Sequence, residues 1–433
     1  MCTPGPCDDV AGIIRDRRRS RPPAAPFAVL ATALALAAPG FADESAALAE
    51  RVARAQKAVE RVRGVPFRAP VASALLPASR LPEVLGRKLV EDLPVPFETY
   101  AASLASVGLI DPSPGLLSRL TRLYTRQVVG FYDPAEKRFF VVPERSSDVE
   151  GPTGELLEQL LLAHELTHAL QDQRLDLDRR MKGLRDSTDA LLALQAFLEG
   201  EATILMTDVL LASLPEEARE AIGGDPVGQV LDGLGNPESV EGAEGVPDFF
   251  VKELVFPYAS GTEFVRRKKR EGGWPAVDAL YDRLPATTRE ILHHGAENGG
   301  RRLLAPADLP AKANAPAGSG ATWTDTLGEW VLRTLLERAG AGEEAADVAA
   351  SWRDDRILFF APKGRPAGQG VGFLWRIRTA RAEDALRIAA LLETLYALRP
   401  SSVRPVVATH GDVVEVSRGL SGRARPRRPV SPG

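Results

Sequence analysis

The spacing of apolar and polar positions predicts three long helices and one hairpin in the first half of the chain. Helical spacing runs over residues 43–64, 155–175 and 187–214, and the first of these segments has the alternation of a solvated amphipathic helix. Residues 126–144 contain two β-rich runs, VVGFY and RFFVV, on either side of a polar turn. That arrangement predicts a β-hairpin directly before the second helix.

The second half of the chain predicts a separate α/β unit. Residues 303–321 are rich in Pro, Ala and Gly and predict a linker or loop. Residues 322–419 then read as a helix, a hairpin, a helix and one or two strands, which we interpret as a ββαβ-like unit. The basic, Pro-rich tail 420–433 predicts disorder. These boundaries leave a mixed N-terminal region over 43–122 and a core over 123–302.

The first 42 residues have the pattern of a secretory signal peptide. A basic stretch precedes a short apolar run from about Ala24 to Ala38, and small residues follow near Ala42. The alternatives are an uncleaved anchor or a buried helix, but the run is short for a membrane span. Cleavage would remove Cys2 and Cys7, which excludes cysteine catalysis and zinc–thiolate sites in the mature chain. We therefore expect an exported protein, periplasmic or extracellular, without a transmembrane span after cleavage.

Composition narrows the function classes. The 433 residues are 44% hydrophobic and 26% charged, which is ample for a sizeable core. The formal net charge is −4 with mixed signs, so nothing indicates a nucleic-acid partner. The sequence does not indicate the oligomeric state.

The chemistry lies in the second predicted helix, where His164-Glu165-Leu166-Thr167-His168 matches the pattern H-E-x-x-H. Residues four apart project from one face of a helix, so the two imidazoles can coordinate one zinc ion. Glu165 lies beside the open coordination position and can take a proton from the water that the zinc activates.

The alternative is that His164 and His168 are core residues, since they share a stripe with Leu157 and Leu161. Two imidazoles beside a glutamate on a buried face would need several polar partners, and one metal ion satisfies them together.

A catalytic zinc site needs a third protein ligand, and the segment AFLEGEAT (196–203) is the best candidate. Glu199 and Glu201 flank Gly200 inside a helical pattern, where glycine costs about 1 kcal/mol relative to alanine. Close approach of another helix would explain the glycine. Helical phase alone does not separate the two glutamates.

Over roughly 160–206 the chain resembles the gluzincin metallopeptidases, whose H-E-x-x-H helix is followed by a helix carrying a ligand Glu, often as E-G-x-A. The resemblance implies Glu199 as the third ligand, with Glu201 as the alternative. More loosely, GFYDP (130–134), PYASG (257–261) and SWRDDR (351–356) resemble an uncharacterised group of exported bacterial zincin-like proteins.

Other site residues are proposed by type alone. Hydrolysis of an amide needs a donor that stabilises the oxyanion, and Tyr258, His293 and His294 are candidates. Asp172 is a candidate to orient a ligand imidazole. The strand RFFVV is a candidate for the edge strand that pairs with an extended substrate, as edge strands do in zincins.

These observations predict an α+β, mostly helical protein. We expect a zincin-like metallopeptidase core with a small, largely antiparallel sheet, followed by the C-terminal ββαβ-like unit. The predicted function is a Zn²⁺-dependent peptidase with peptide or protein substrates. The alternatives are a catalytically inactive zincin-like scaffold that binds zinc or a partner, and an enzyme acting on a cell-wall crosslink or a small amide.

Overall fold

A computed structural model describes residues 39–91, 93–146, 152–217, 219, 227–228, 240–294, 304 and 315–420. Contacts divide the chain into Met1–Ala47 and Leu48–Gly433. The described part of the first unit is helical. The predicted signal peptide, apart from residues 39–42, and the predicted disordered tail, apart from Leu420, lie outside the described residues.

Helices make up most of the described chain. In chain order they are α1 (Pro39–Arg63), α2 (Leu81–Glu91), α3 (Phe97–Val107), α4 (Leu116–Gln127), α5 (Pro143–Ser146), α6 (Pro152–Leu175), α7 (Leu177–Gly183), α8 (Thr188–Ser213), α9 (Asp248–Asp282), α10 (Thr288–Leu292), α11 (Gly328–Arg338), α12 (Glu344–Ala349) and α13 (Ala382–Ala397). The three long helices predicted before residue 214 are confirmed as α1, α6 and α8. The helix α9 is broken where Gly272 and Gly273 leave helical geometry.

Among the described residues, the strands form a small sheet and a larger one. They are β1 (Ala72–Leu75), β2 (Gly130–Asp133), β3 (Arg138–Val141), β4 (Ser319–Asp325), β5 (Trp352–Pro362), β6 (Gly372–Thr379), β7 (Val406–His410) and β8 (Val413–Arg418). The small sheet has the order β1-β3-β2, with β1 parallel to β3, and the larger sheet is antiparallel in the order β4-β5-β6-β8-β7. The protein is therefore α+β and mostly helical, as predicted.

The predicted hairpin is present, with β2 and β3 antiparallel and Gly130 opposite Val141. Its strands have other roles than expected. The RFFV strand β3 lies at the centre of the small sheet, paired on both sides, so its backbone is not available to a substrate. The edge strand of the hairpin is β2, which contains the residues GFYD.

The C-terminal unit contains the predicted hairpin β5–β6, then α13, then two paired strands, β7 and β8. The strand β4 was not predicted, because Ser319 and Gly320 at its start were assigned to the linker. It pairs with β5 at the edge of the larger sheet through an irregular register.

Two clusters of buried apolar side chains hold the helices and sheets together. The larger cluster joins the interior of the C-terminal sheet to α3, α4, α8 and α9, with Trp352, Trp375 and Phe197 almost fully buried. The smaller one packs α1, the hairpin and α6 together around Val59, Phe139 and Leu166.

Asp355, from the SWRDDR segment, ties the larger sheet to a helix. Its carboxylate accepts hydrogen bonds from the indole N–H groups of Trp352 and Trp375 and from the backbone amides of Leu327 and Gly328. The two amides stand at the start of α11, where a helix leaves N–H groups unsatisfied and favours negative charge. The acidic and aromatic residues Asp355 and Trp352 of SWRDDR therefore have a structural role, which is to join β5 to the start of α11.

Candidate metal centre

The histidines of α6 lie on a different face from its core residues. Leu166, Ala169 and Leu170 are buried in the smaller cluster. Leu157, which shares the histidine stripe, is 49% exposed. The stripe predicted to be apolar therefore reaches the surface at its N-terminal end, and the imidazoles are not part of a closed apolar core.

Three potential ligand atoms converge at this face. Nε2 of His164 lies 3.1 Å from Oε2 of Glu199, and Nε2 of His168 lies 3.4 Å from the same oxygen. The two Nε2 atoms are 3.2 Å apart. Because α8 packs alongside α6, these residues form a triangle of two nitrogens and one oxygen.

The size and chemistry of the triangle fit zinc. Zinc binds imidazole nitrogen and carboxylate oxygen at about 2.0–2.2 Å, so a tetrahedral ion separates neighbouring ligand atoms by about 3.3–3.6 Å. The observed separations of 3.1–3.4 Å are close to those values. The side chains are 14% (His164), 15% (His168) and 21% (Glu199) exposed, so the group is reachable from solvent.

The electrostatics of the group favour bound positive charge. Burial works to lower the pKa of His168, but the carboxylates of Glu199 and Glu165 outweigh it and raise the pKa to about 9. Burial works to raise the pKa of Glu199, but the imidazoles of His168 and His164 hold it well below its ordinary value. The carboxylates therefore favour positive charge at this face, and a metal ion binding here would displace the proton that His168 holds.

Glu165 is anchored by strand β2. Its Oε2 accepts a hydrogen bond of 2.7 Å from the backbone amide of Tyr132, and the residue is 8% exposed. Burial raises the pKa of Glu165 above its ordinary value, although the neighbouring imidazoles and the Tyr132 amide oppose the shift. A glutamate with a raised pKa and one anchored oxygen is suited to accept and return a proton.

Asp172 has a role other than the predicted one. Its carboxylate accepts hydrogen bonds from the Tyr132 hydroxyl at 2.7 Å, from Nζ of Lys137 at 2.8 Å and from the Leu177 amide at 2.8 Å. These bonds hold the β2–β3 hairpin against the end of α6. The side chain that bonds the His168 ring is Gln171 instead, with its Oε1 2.9 Å from Nδ1.

The glycine between the two glutamates marks a close helix crossing, as the sequence suggested. A Cβ on Gly200 would overlap the backbone of Gly261 in α9, and a Cβ on Gly261 would overlap the carbonyl of Ala196. This crossing brings α9 against the potential metal ligands. The Tyr258 ring stacks on His164, with centroids 6.3 Å apart and planes 18° apart.

Tyr258 is thereby placed beside the ligand group. Its hydroxyl donates a hydrogen bond to Glu199, and the negative charge of Glu199 together with burial raises the pKa of Tyr258 well above its ordinary value. The phenol therefore stays protonated and remains a hydrogen-bond donor.

The alternative ligand Glu201 faces away from the triangle. It is buried, and its carboxylate accepts hydrogen bonds from Nε of Arg63, Nε2 of Gln171 and the Tyr281 hydroxyl. The structure thus separates the two glutamates that the sequence left open, because Glu199 alone reaches the imidazoles.

The two remaining histidine candidates lie with other partners. Nε2 of His293 is 2.7 Å from Oε1 of Glu329 in α11. His294 has a φ of 56°, and burial and the charge of Arg267 lower its pKa. Neither belongs to the ligand group found among the described residues.

A separate cavity of about 760 Å³ lies between α3 and the C-terminal unit, and none of the candidate site residues lines it.

Sequence reasoning missed three residues that shape the site. Gln171 lies one turn after His168, a spacing that permits contact. Tyr132 was noted only within GFYDP, and its amide is a backbone group. Arg63 carries no local signal, because it reaches the site from a helix 138 positions away from Glu201.

One described helix, α8, is long and apolar enough to cross a membrane by length and composition, but 72% of that stretch is buried inside the protein. This is the helix that carries Glu199.

Comparison with known proteins adds no family: the chain matches no family model, no curated protein and no solved structure.

Proposed function

We propose that this protein is a zinc-dependent peptidase with a gluzincin-like centre on a zincin-like core. The observation that carries the proposal is the triangle formed by His164, His168 and Glu199, whose edges of 3.1–3.4 Å are close to those of tetrahedral zinc. Three protein ligands leave one coordination position for the reaction, which distinguishes a catalytic zinc site from a closed structural one.

Bound zinc supplies Lewis acidity, which polarises a carbonyl and acidifies water. The protein supplies the proton transfers. Glu165 follows the first ligand, is held by the Tyr132 amide through one oxygen, and acts as the general base and then as the acid towards the leaving amine. Tyr258 stays protonated beside Glu199 and turns its hydroxyl from Glu199 to the developing oxyanion, to which it then donates.

The strand β2 supports a peptide as the substrate. It is an edge strand, and its Tyr132 amide points away from β3 towards Glu165. An extended peptide lying along this edge has its backbone beside the general base. In this proposal the substrate strand is β2, in place of the RFFVV strand. The predicted export would put the enzyme among periplasmic or extracellular peptides.

The first test is metal content together with hydrolysis of a mixture of fluorescence-quenched peptides. We expect one zinc per chain in the wild type and none in His164→Ala. Glu165→Gln should keep the zinc and lose at least about 10²-fold in turnover, because it removes the base without removing a ligand. Glu155→Gln, an exposed change on the same helix, is the matched control.

The outcomes separate the candidates. Wild-type protein that binds no zinc after reconstitution rules out the metal centre. Protein that binds zinc but cleaves no peptide supports the alternative of a zinc-binding scaffold. Near-normal hydrolysis by Glu165→Gln would show that another group is the base.

A further inference from the structure

A chain of hydrogen bonds runs from His168 to the end of the N-terminal helix. Nδ1 of His168 lies 2.9 Å from Oε1 of Gln171, and Nε2 of Gln171 lies 2.9 Å from Oε2 of Glu201. Oε1 of Glu201 in turn accepts a bond of 2.9 Å from Nε of Arg63, the last residue of α1. Four side chains thus connect α1 with a metal ligand on α6.

The direction of these bonds fixes the tautomer of His168. Nε2 of Gln171 faces two acceptors, the Leu198 carbonyl at 3.0 Å and the Glu201 carboxylate. The amide NH₂ group must therefore point at them, and the amide oxygen must face His168. Nδ1 of His168 then carries the proton, and Nε2 directs its lone pair at the ligand triangle.

Hydrogen bonds to both of its carboxylate oxygens hold Glu201 in place. Besides Gln171 it binds the Tyr281 hydroxyl and Arg63, so each of its oxygens has a donor. A carboxylate is an acceptor only, so it enforces the orientation of the Gln171 amide in a way that a neutral side chain does not.

Arg63 is the fixed end of the chain. It is 2% exposed, and its two terminal nitrogens bond Asp278 at 2.7 and 3.2 Å. Burial works against its charge, but the bonds to Asp278 and Glu201 leave the pKa of Arg63 above its ordinary value. Its guanidinium also lies 4.5 Å from the ring centroid of Trp274.

We propose that Gln171, Glu201 and Arg63 are positioning residues that hold His168 in the tautomer required for metal binding, so that α1 is part of the metal centre. The inference rests on the zinc site of the proposed function but not on its peptidase activity. Such outer groups orient ligand imidazoles and change metal affinity about 10- to 100-fold when they are removed.

The plainer interpretation is that these residues only join helices. Because a buried ion pair by itself is weak evidence of any role, the test must read the imidazole and the metal directly. The first measurement is the dissociation constant of Zn²⁺, by competition with a chromophoric chelator, on the full chain. Gln171→Met should raise the dissociation constant of Zn²⁺ about 10- to 100-fold. Glu201→Gln and Arg63→Met should also raise the dissociation constant of Zn²⁺.

Two variants serve as matched controls. Gln173→Met removes side-chain bonds to the loop at Arg68 and Ala69 from the same helix without touching a ligand. Arg61→Met changes an exposed arginine two positions from Arg63. Both should leave the zinc affinity unchanged.

The second measurement reports the tautomer. The chain has five histidines, so ¹⁵N-histidine spectra of the metal-free protein are sparse. Because the pKa of His168 is raised to about 9, the spectra are recorded at about pH 10.5, where the imidazole is neutral and has a tautomer. There the wild type should show His168 protonated at Nδ1 alone, and Gln171→Met should show a fraction of the ring protonated at Nε2. If the tautomer is unchanged in a folded Gln171→Met variant, the inference fails.

A double-mutant cycle tests the connection to α1. If Arg63 acts through Gln171, Arg63→Met should add little further loss of zinc affinity in the Gln171→Met background. Full additivity of the two losses would overturn the role of Arg63. A wild type that binds zinc but hydrolyses nothing leaves this inference standing, and one that binds no zinc defeats the proposed function while the tautomer is still measurable.

Discussion

At the scale of single residues, polar atoms of the site have defined partners. One oxygen of Glu165 is held by a strand amide, Nδ1 of His168 bonds Gln171, and the Tyr258 hydroxyl bonds Glu199. The fixed partners pre-organise Glu165 and His168, since these two side chains need little reorientation. The Tyr258 hydroxyl has one proton and would have to turn from Glu199 to act on an oxyanion.

Tyr258→Phe should separate binding from catalysis. The variant keeps the ring that stacks on His164 and loses only the hydroxyl. We expect the zinc content to stay at one per chain and kcat to fall about 10²-fold, since one oxyanion donor contributes that much. The measurement is kcat and KM on a peptide that the wild type cleaves.

Tyr100→Phe is the control for this prediction. It also removes the hydroxyl of a half-buried tyrosine, but Tyr100 lies near Glu253 on α9 and not at the proposed ligand Glu199. A rise in KM with kcat unchanged in Tyr258→Phe would mean that the hydroxyl binds the substrate and the transition state equally and does not assist the chemical step.

The part of the site that could be read from the sequence is the part encoded by local spacing. His164, Glu165 and His168 follow from helix geometry over four positions. The choice of Glu199 over Glu201 could not follow, because it depends on the rotation of α8 against α6, which the distant Gly261 and Arg63 help to set.

At the scale of elements, the crossing of α8 and α9 decides where Glu199 and Tyr258 stand. Gly200 and Gly261 bring the two backbones into direct contact, so no side chain separates the helices there. The sequence indicated a close approach at Gly200 but not its partner. Local spacing carries no information about which of the later helices supplies that partner.

Gly200→Ala should disrupt this crossing. Its methyl group would overlap the Gly261 carbonyl, and a backbone atom cannot move aside as a flexible side chain can. We expect a loss of at least about 1–3 kcal/mol in the free energy of unfolding, the range typical of overpacked interiors. Zinc binding should weaken as well, because Glu199 is the preceding residue. Urea unfolding and chelator competition measure the two effects.

Gly183→Ala is the matched control. Gly183 ends α7, and no atom lies within 4 Å of the position of its added Cβ. That change should be neutral or slightly stabilising, as alanine is favoured over glycine in helices. An equally neutral Gly200→Ala would show that the helices can separate without cost.

At the scale of the whole molecule, the C-terminal sheet is joined to the helix that carries Glu199. The carboxylate of Asp325 accepts bonds from the amide and hydroxyl of Thr188 at the start of α8, both 2.7 Å, and the Asp189 amide donates to the Thr326 carbonyl. The sequence predicted a C-terminal unit, but these contacts join segments more than 130 positions apart and leave no local pattern.

This junction contains two carboxyl groups with raised pKa values. Burial and the neighbouring Asp325 raise the pKa of Glu253 to about 7, and burial raises that of Asp325 to about 7. Between pH 4.5 and 7 the unfolded chain releases the Glu253 proton while the folded chain keeps it. Folding is therefore opposed progressively as the pH rises through that window.

Glu253→Gln should accordingly stabilise the protein at pH 8 and have little effect at pH 4.5. We expect a gain of about 1–2 kcal/mol at pH 8, after allowance for the partial exposure of the side chain. Denaturant unfolding at both pH values is the measurement, with the exposed Glu244→Gln as control. The same gain at both pH values would exclude ionisation as its cause.

The glycine crossing also has a consequence for recognising relatives of this protein. Each glycine lies at a fixed short offset from a site residue, Glu199 one position before Gly200 and Tyr258 three positions before Gly261. A chain that builds the centre in this way should contain H-E-x-x-H, then E-G, then Y-x-x-G, in that order. In related sequences, a substitution at Gly200 should be accompanied by one at Gly261. Residues on the surface around the crossing should vary independently of the two glycines.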